Sequence, residues 1–141
     1  MAVTSSASAT WEGDLLGGQG RVRPASGAFP ELPVTWKQRA ETRESGTSPE
    51  ELIAAAHASC FAMALSFGLA NAGTPPQRLD TSAQVTFQAG EGITGIQLSV
   101  RGVVPGLDAD GFHQAAEAAK AGCPVSKALA AVPISLDAAL A

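Results

Sequence analysis

Two cysteines, Cys60 and Cys123, are the residues of this 141-residue chain best suited to nucleophilic and redox chemistry. A thiolate is a nucleophile, and two thiols can also form a reversible disulfide. Cys60 falls in an alanine-rich stretch, where a lone thiol is usually an inert apolar side chain. Cys123 stands between Gly122 and Pro124, which predicts either a simple turn or the N-cap of a helix, where free N–H groups favour a thiolate. The residues alone therefore nominate Cys123 as the more acidic thiol.

His57 precedes Cys60 by three residues and lies on the same face of any helix that carries both. Such a pair can act as a nucleophile and its base, which leaves open a cysteine hydrolase of acyl substrates that does not need Cys123. The sequence offers no obvious third group to orient His57. A core histidine whose ring is satisfied by a carbonyl is the more common arrangement.

Three charged residues lie before or at the start of the segment that carries Cys60. Arg39 and Arg43 precede it, and Glu50 falls in its first turn. An arginine that Glu50 holds beside Cys60 would stabilise the thiolate by opposite charge. A loop of solvated charges is the alternative, and the spacing does not choose between them.

The sequence contains no motif for a metal or a nucleotide. The two histidines, His57 and His113, and the two cysteines lack the spacing of metal ligands. A glycine-rich phosphate loop and a Gly-x-Ser-x-Gly elbow are also missing. We expect neither a metal nor a cofactor.

Composition excludes several classes of protein. Hydrophobic residues make up 45% and charged residues 16%, which argues against disorder, and the net charge of −4 argues against nucleic-acid and basic membrane-surface binding. Two cysteines are too few for a disulfide-built secreted scaffold, and residues 1–10 lack the pattern of a secretion signal. We therefore expect a protein of the reducing cytoplasm.

Residues 52–77 contain no charged side chain and pass the crude length test for a membrane helix. Alanine is the commonest apolar residue in it, and the stretch is interrupted by His57, Ser59, Ser66 and Gly68. We interpret it as a central buried helix, because small side chains let another backbone approach closely. Such packing suits a subunit interface.

The pattern along the chain predicts one α+β domain over 1–141, with two main helices on antiparallel strands. The long helix has clear signals: Ser48 as N-cap, Pro49 at the first position, Glu51 closing a capping box, and an end near Asn71. Further helices are expected over 108–121 and 125–131. Strands are expected over 7–11, 21–23, 33–38, 81–88, 93–104 and 134–140, with a charged loop over 39–47.

Two cysteine-containing blocks resemble the OsmC/Ohr family of thiol-dependent peroxidases. Residues 46–65 read GTSPEELIAAAHASCFAMAL, and residues 120–129 read KAGCPVSKAL. Residues 9–15 and 103–108 also match, so the similarity spans nearly the whole chain. The sequence around Cys60 is more similar to the OsmC branch than to the Ohr branch.

The resemblance implies an OsmC-like fold, an intertwined α+β homodimer with two active sites built from both chains. It implies that Cys60 is the peroxidatic thiol, that Cys123 is the resolving thiol, and that Glu50 orients an arginine that stabilises the Cys60 thiolate. Arg39 matches that arginine if the loop carries a one-residue insertion, and Arg43 is the alternative.

The reaction implied by the resemblance is the reduction of organic hydroperoxides, and less efficiently inorganic ones, in oxidative and osmotic stress defence. The Cys60 thiolate would become a sulfenic acid, and Cys123 would condense with it to form a disulfide. An external dithiol, such as a lipoylated protein, would reduce the disulfide. This assignment outweighs the helix-end argument for Cys123, because a full arginine charge exceeds half a unit of helix charge at short range.

Two other classes of function remain as alternatives. One is the acyl hydrolase with Cys60 and His57. The other is a non-catalytic binder of apolar ligands, in which both thiols are only packed side chains and take no part in chemistry.

Overall fold

The computed structural model describes residues 1–43 and 45–141, and the chain divides into two compact units, Met1–Glu50 and Glu51–Ala141. The fold is of the expected α+β class. In chain order the elements are β1 (Ala7–Glu12), β2 (Gln19–Pro24), β3 (Leu32–Val34), α1 (Trp36–Ala40), α2 (Pro49–Asn71), β4 (Arg78–Gln88), β5 (Gly92–Val103), α3 (Ala109–Gly122), α4 (Pro124–Ala128) and β6 (Ile134–Leu140).

The first unit contains an antiparallel sheet with the strand order β1-β2-β3. Gly20 on β2 pairs with Trp11 on one side and with Val34 on the other. A Cβ at Gly20 would lie only 2.6 Å from the Trp11 ring and 2.9 Å from Val34. Glycine is therefore required for the indole to lie across β2.

Residues 36–40 form a short helix, so the prediction of a strand over 33–38 is wrong beyond Val34. Thr35 is the N-cap, and its hydroxyl accepts a hydrogen bond from the Gln38 N–H at 3.1 Å. Thr35 and Gln38 have the spacing of a capping box, which outweighs the alternation that suggested a strand. As a result, Arg39 lies on α1 and not in a loop.

The second unit contains a sheet with the strand order β4-β5-β6. The strands β4 and β5 form an antiparallel hairpin, whereas β6 runs parallel to β5, with Leu98 opposite Leu136. An all-antiparallel arrangement was expected. The parallel pair is possible because α3 and α4 lie between β5 and β6 in sequence and provide the crossover connection that parallel strands need.

The core of the second unit lies between α2, β5 and α3. Phe112 of α3 is fully buried against Gly102 of β5, where a Cβ would come within 2.6 Å of the ring. The other buried members of this cluster are Phe61, Leu65, Leu69, Leu98, Val100, Val104, Ala116 and Ala119.

The helix α2 starts at Pro49 and ends at Asn71, as the sequence predicts. It is long and apolar enough to cross a membrane by length and composition, a test that core helices of soluble proteins also meet.

One face of α2 enters the core, while the opposite face carries an exposed row of small and apolar side chains. Met63 is 67% and Phe67 70% exposed. We call this row the α2 stripe: Ala56, Ser59, Met63, Phe67 and Ala70.

Candidate active site

Cys123 follows the last residue of α3 and is the N-cap of α4, with Pro124 at the first helical position. The expectation that Cys123 caps a helix is therefore confirmed. Cys123 stands where a helix leaves backbone N–H donors unpaired, but its side chain makes no capping hydrogen bond to the start of α4.

The two cysteines, 63 residues apart in sequence, are in direct contact. Cys123 Sγ donates a hydrogen bond to Cys60 Sγ over 2.9 Å, and both thiols are free. A disulfide bond is about 2.05 Å long, so bond formation requires the sulfurs to approach by only about 0.9 Å. The helix α2 supplies Cys60, and the junction of α3 and α4 supplies Cys123.

The surroundings shift the two thiol pKa values in opposite directions. Burial raises the pKa of Cys123, but the contact with Cys60 and the nearby polar groups of Ser126 and Val125 at the start of α4 outweigh it and lower this pKa. Burial and the contact with Cys123 raise the pKa of Cys60. Within one chain, Cys123 is therefore the more acidic thiol.

Solvent access, in contrast, favours Cys60 as the thiol that reacts with an oxidant. Cys123 is 0% exposed, whereas Cys60 is partly exposed. A dissolved oxidant therefore reaches Cys60 first.

Arg39 and Glu50 form a close ion pair in the first unit. The Arg39 Nη2 atom lies 2.9 Å from Glu50 Oε1, and Nε lies 3.0 Å from Oε1 and 3.3 Å from Oε2. Glu50 is 1% exposed, so this carboxylate is held in place by burial as well as by the guanidinium. The expectation that Glu50 pairs with an arginine is confirmed. Arg43 instead donates to the Ser48 hydroxyl at 2.7 Å.

An apolar cavity of about 330 Å³ lies beside Arg39 in the first unit. The sequence alone does not reveal this cavity, because its lining comes from several separate segments. The indoles of Trp11 and Trp36 are its largest side chains, and the others are Leu15, Val34, Thr35 and Pro49. The cavity can accept an alkyl or aryl group next to a guanidinium.

His57 does not pair with Cys60. Its Nε2 atom lies 2.8 Å from Ser126 Oγ, and its buried Nδ1 atom has no hydrogen-bond partner within residues 1–43 and 45–141. A general base must reach the proton of its nucleophile, so this arrangement does not support the acyl hydrolase. Ser126 is not among the residues predicted from the sequence, although its position three residues after a helix-capping cysteine is a usable signal.

His113 is exposed on α3 and lies 4.0 Å from Glu117. Among the described residues, no group of three or more histidine, cysteine or acidic side chains could hold a metal ion.

A thiol pair at 2.9 Å, formed between a long helix and the N-cap of a short one in an α+β fold, is the arrangement that a dithiol redox protein needs. Residues 42–137 match the family model of the OsmC-like proteins, and the chain belongs to that family. The Peroxiredoxin OsmC of Escherichia coli K12 is 46% identical over 140 residues, covering 97% of this chain and 96% of that protein.

Solved structures show the same fold. An organic hydroperoxide resistance protein OsmC from Legionella pneumophila has a TM-score of 0.76 at 21% identity, covering 99% of this chain and 98% of that one. The organic hydroperoxide resistance protein OhrB of Bacillus subtilis has a TM-score of 0.67 at 23% identity, covering 96% and 98%.

Proposed function

We propose that this chain is a two-cysteine peroxidase that reduces organic hydroperoxides to alcohols. Its membership of the OsmC-like family, and its 46% identity to a peroxiredoxin over nearly its full length, give it thiol-dependent peroxidase activity. The observation that carries the two-cysteine cycle is the 2.9 Å contact between Cys60 Sγ and Cys123 Sγ.

In the first step, the Cys60 thiolate attacks the outer oxygen of the hydroperoxide R–O–OH. A sulfur–oxygen bond forms, the oxygen–oxygen bond breaks, and the alkoxide takes up a proton and leaves as the alcohol. In the second step, Cys123 attacks the sulfur of the Cys60 sulfenic acid, giving a disulfide and water. The contact between the sulfurs supports this order, because the second step needs almost no movement.

Cys60 is the peroxidatic thiol although Cys123 is the more acidic of the two within one chain. Access supports this assignment, because Cys123 is fully buried and Cys60 is partly exposed. A cation beside Cys60 would lower its pKa by opposite charge. Arg39, oriented by Glu50, is the group that supplies this charge and donates hydrogen bonds to the departing oxygen.

The cavity beside Arg39 supports an organic substrate. Its lining is largely aromatic and aliphatic and suits the alkyl or aryl group of a hydroperoxide, and Arg39 in the same lining offers a guanidinium to the peroxide oxygens. Hydrogen peroxide has no group to fill this cavity. Organic hydroperoxides are therefore the preferred substrates.

The active form is a homodimer in which the Arg39–Glu50 pair of one chain serves Cys60 of the other. Glu50 and Cys60 are ten residues apart on α2, which corresponds to about 15 Å along a helix axis. The α2 stripe supports a second copy as the covering partner, because two of its large apolar side chains, Met63 and Phe67, are mostly exposed.

The cycle closes when an external dithiol reduces the Cys60–Cys123 disulfide by exchange. A lipoylated protein or a similar small dithiol has the required chemistry. Two free thiols in contact are consistent with a reducing compartment, which makes the cytoplasm the setting of this reaction.

The test is a count of free thiols before and after one equivalent of cumene hydroperoxide. The wild-type chain loses both thiols, Cys60→Ser loses none, and Cys123→Ser loses one and retains a sulfenic acid that dimedone traps. Loss of a thiol in Cys60→Ser but not in Cys123→Ser would reverse the two roles. No loss in the wild type would leave the apolar-ligand binder as the better explanation.

A further inference from the structure

The thiol pair has a neighbouring contact between the same two parts of the chain. His57 lies three residues before Cys60 on α2, about one turn of the helix away, and Ser126 lies three residues after Cys123 on α4. His57 Nε2 and Ser126 Oγ are 2.8 Å apart, which is a hydrogen-bond distance, and both residues are buried. Two contacts, one between sulfurs and one between polar side chains, therefore join α2 to the start of α4.

Burial determines the direction of this hydrogen bond. His57 Nδ1 has no hydrogen-bond partner among the described residues, and a neutral imidazole carries a proton on only one nitrogen. Since buried N–H groups without an acceptor are rare, the proton belongs on Nε2, which donates to Ser126 Oγ. Burial lowers the pKa of His57 and so favours this neutral ring. The contact is therefore an N–H···O hydrogen bond between two buried groups.

Ser126 is also the residue that anchors α4. All five residues of α4 lie in the described part of the chain, and Ser126 is buried whereas Pro124, Lys127 and Ala128 are exposed. A helix of this length has little stability of its own, so its position depends on the contacts that it makes. Moving α4 away from α2 would break the hydrogen bond to His57, and buried polar groups that lose their partner carry a large free-energy cost. The hydrogen bond therefore resists this movement.

The peroxide step alters the sulfur contact but not the polar one. In the proposed cycle Cys60 Sγ gains an oxygen, so the hydrogen bond between two thiols no longer exists once the sulfenic acid has formed. His57 and Ser126 undergo no bond change in that step. Their hydrogen bond therefore remains to hold the start of α4, and with it Cys123, beside Cys60.

We propose that the hydrogen bond between His57 and Ser126 is a positioning contact that holds Cys123 within attacking distance of Cys60 while Cys60 is a sulfenic acid. This inference rests on the proposed two-cysteine cycle. His57 and Ser126 are positioning residues, and neither exchanges a proton with a sulfur.

The step that this contact assists is the closure of the disulfide. Cys123 gives up its proton, and the thiolate attacks Cys60 Sγ of the sulfenic acid. The sulfur–sulfur bond forms, the sulfur–oxygen bond breaks, and the oxygen leaves as hydroxide, which takes up one proton and becomes water. Because closure is unimolecular, its rate depends on the fraction of molecules in which the sulfurs are close enough to react.

The first variant is Ser126→Ala, which removes the acceptor and leaves the buried His57 N–H unpaired. The net contribution of one hydrogen bond corresponds to about three- to tenfold in an equilibrium, and we expect closure to slow by this factor. Reaction of Cys60 with one equivalent of cumene hydroperoxide should keep its wild-type rate. Quenched-flow mass spectrometry follows both steps in one sample. A variant that slows both steps equally has a general folding defect, and that result overturns the positioning role.

Competition with a second peroxide molecule gives an independent readout. The sulfenic acid either closes to the disulfide, at a rate independent of peroxide, or is oxidised to sulfinic acid at a rate that rises with peroxide. The cumene hydroperoxide concentration that converts half of the chains to sulfinic acid should therefore be about three- to tenfold lower in Ser126→Ala. A Cys123→Ser background, which cannot close, gives the rate of over-oxidation with and without Ser126→Ala and corrects this concentration. An unchanged corrected value overturns the positioning role.

Conservative variants separate the hydrogen bond from packing. Ser126→Thr keeps the hydroxyl, and His57→Gln keeps a side-chain N–H that can donate to Ser126, so both should close at close to the wild-type rate. His57→Leu has no donor and should be as slow as Ser126→Ala. Ser135→Ala on β6 and His113→Gln on α3 are the exposed controls. If neither conservative variant closes faster than its apolar counterpart, the hydrogen bond is not what positions Cys123.

A double-mutant cycle tests whether the two residues act through one bond. The double variant His57→Leu/Ser126→Ala should close no more slowly than the slower single variant, because each single substitution already removes the contact. Effects that multiply would show two independent roles and overturn the proposal. The comparison of Ser126→Ala with Ser126→Thr carries the test by itself if His57→Leu does not fold.

The same experiments distinguish this inference from the proposed function. A wild-type chain that consumes no hydroperoxide overturns the two-cysteine peroxidase itself. Normal consumption by the wild type, together with wild-type closure and wild-type sulfinic acid formation in Ser126→Ala, overturns the positioning contact alone.

Discussion

In the proposed cycle, Arg39 is the residue on which the peroxide step most depends. Its guanidinium is held by three short contacts to the buried Glu50 carboxylate and therefore offers a fixed positive charge at little cost in side-chain freedom. Removal of one preorganised donor to developing charge typically slows an enzyme by about 10²–10³-fold. We expect a loss of this size in kcat/KM for cumene hydroperoxide in Arg39→Ala, measured by coupled reduction with a dithiol.

The matched control is Arg101→Ala, which removes a surface ion pair with Asp137 and should leave the rate unchanged. Arg43→Ala provides the opposing test, because Arg43 contacts Ser48 and not Glu50. A large loss in Arg43→Ala together with normal kinetics in Arg39→Ala would transfer the role to Arg43.

Local signals in the sequence are sufficient to predict part of the candidate site. The Gly-Cys-Pro triplet identified Cys123 as a helix cap, and the capping signals at α2 left Glu50 free to pair with an arginine. The partner of His57 could not be found in this way, because Ser126 is 69 residues away and the contact depends on how α4 packs against α2. Residue roles that depend on non-local packing require the folded chain.

At the level of elements, the packing of α3 on β5 depends on Gly102. A Cβ at this position would lie 2.6 Å from the Phe112 ring and 3.2 Å from Leu79, and both side chains belong to the packed core. Gly102→Ala should therefore lower the free energy of unfolding by about 1–3 kcal/mol, as overpacking in a close-packed core does. Urea denaturation measures this difference.

Gly95→Ala on the same strand is the matched control for this substitution. The nearest atom to a Cβ at Gly95 is the Pro133 carbonyl oxygen at 3.9 Å, an ordinary contact distance. Equal stability of the two variants would contradict a close fit between Phe112 and Gly102.

Most helices and strands could be predicted, but not how all of them pair. Hydrophobic alternation and capping residues located α2, α3 and the strands of the hairpin. Alternation alone does not distinguish a parallel from an antiparallel partner, so the parallel pairing of β5 and β6 was missed. The short helix α1 was read as a strand because the Thr35–Gln38 capping signal was not weighed against alternation.

At the level of the whole molecule, the proposed dimer makes a quantitative prediction about mixtures. Cys60→Ser and Arg39→Ala should each be inactive or nearly so. After subunit exchange, a mixed dimer has one site with both an intact Cys60 and an intact Arg39, provided that the two residues come from different chains. An equal mixture should therefore recover about a quarter of the wild-type activity, since half of the dimers are mixed and each has one intact site.

Analytical ultracentrifugation of the same samples checks that dimers form and exchange. A mixture of exchanging dimers that remains as inactive as its components would show that each site takes Cys60 and Arg39 from a single chain. Phe67→Glu in the α2 stripe is a further check, because a charge there should weaken the dimer if this surface is covered by a second copy.

The near-contact of the two sulfurs also bears on how the protein withstands very high oxidant concentrations. A sulfenic acid that meets another peroxide molecule is converted irreversibly to sulfinic acid, and this reaction accelerates as oxidant accumulates. Capture by a thiol 2.9 Å away is unimolecular and independent of oxidant concentration. If the proposed cycle operates, the protein should therefore survive an oxidant burst without permanent inactivation, for as long as reductant returns it to the dithiol state.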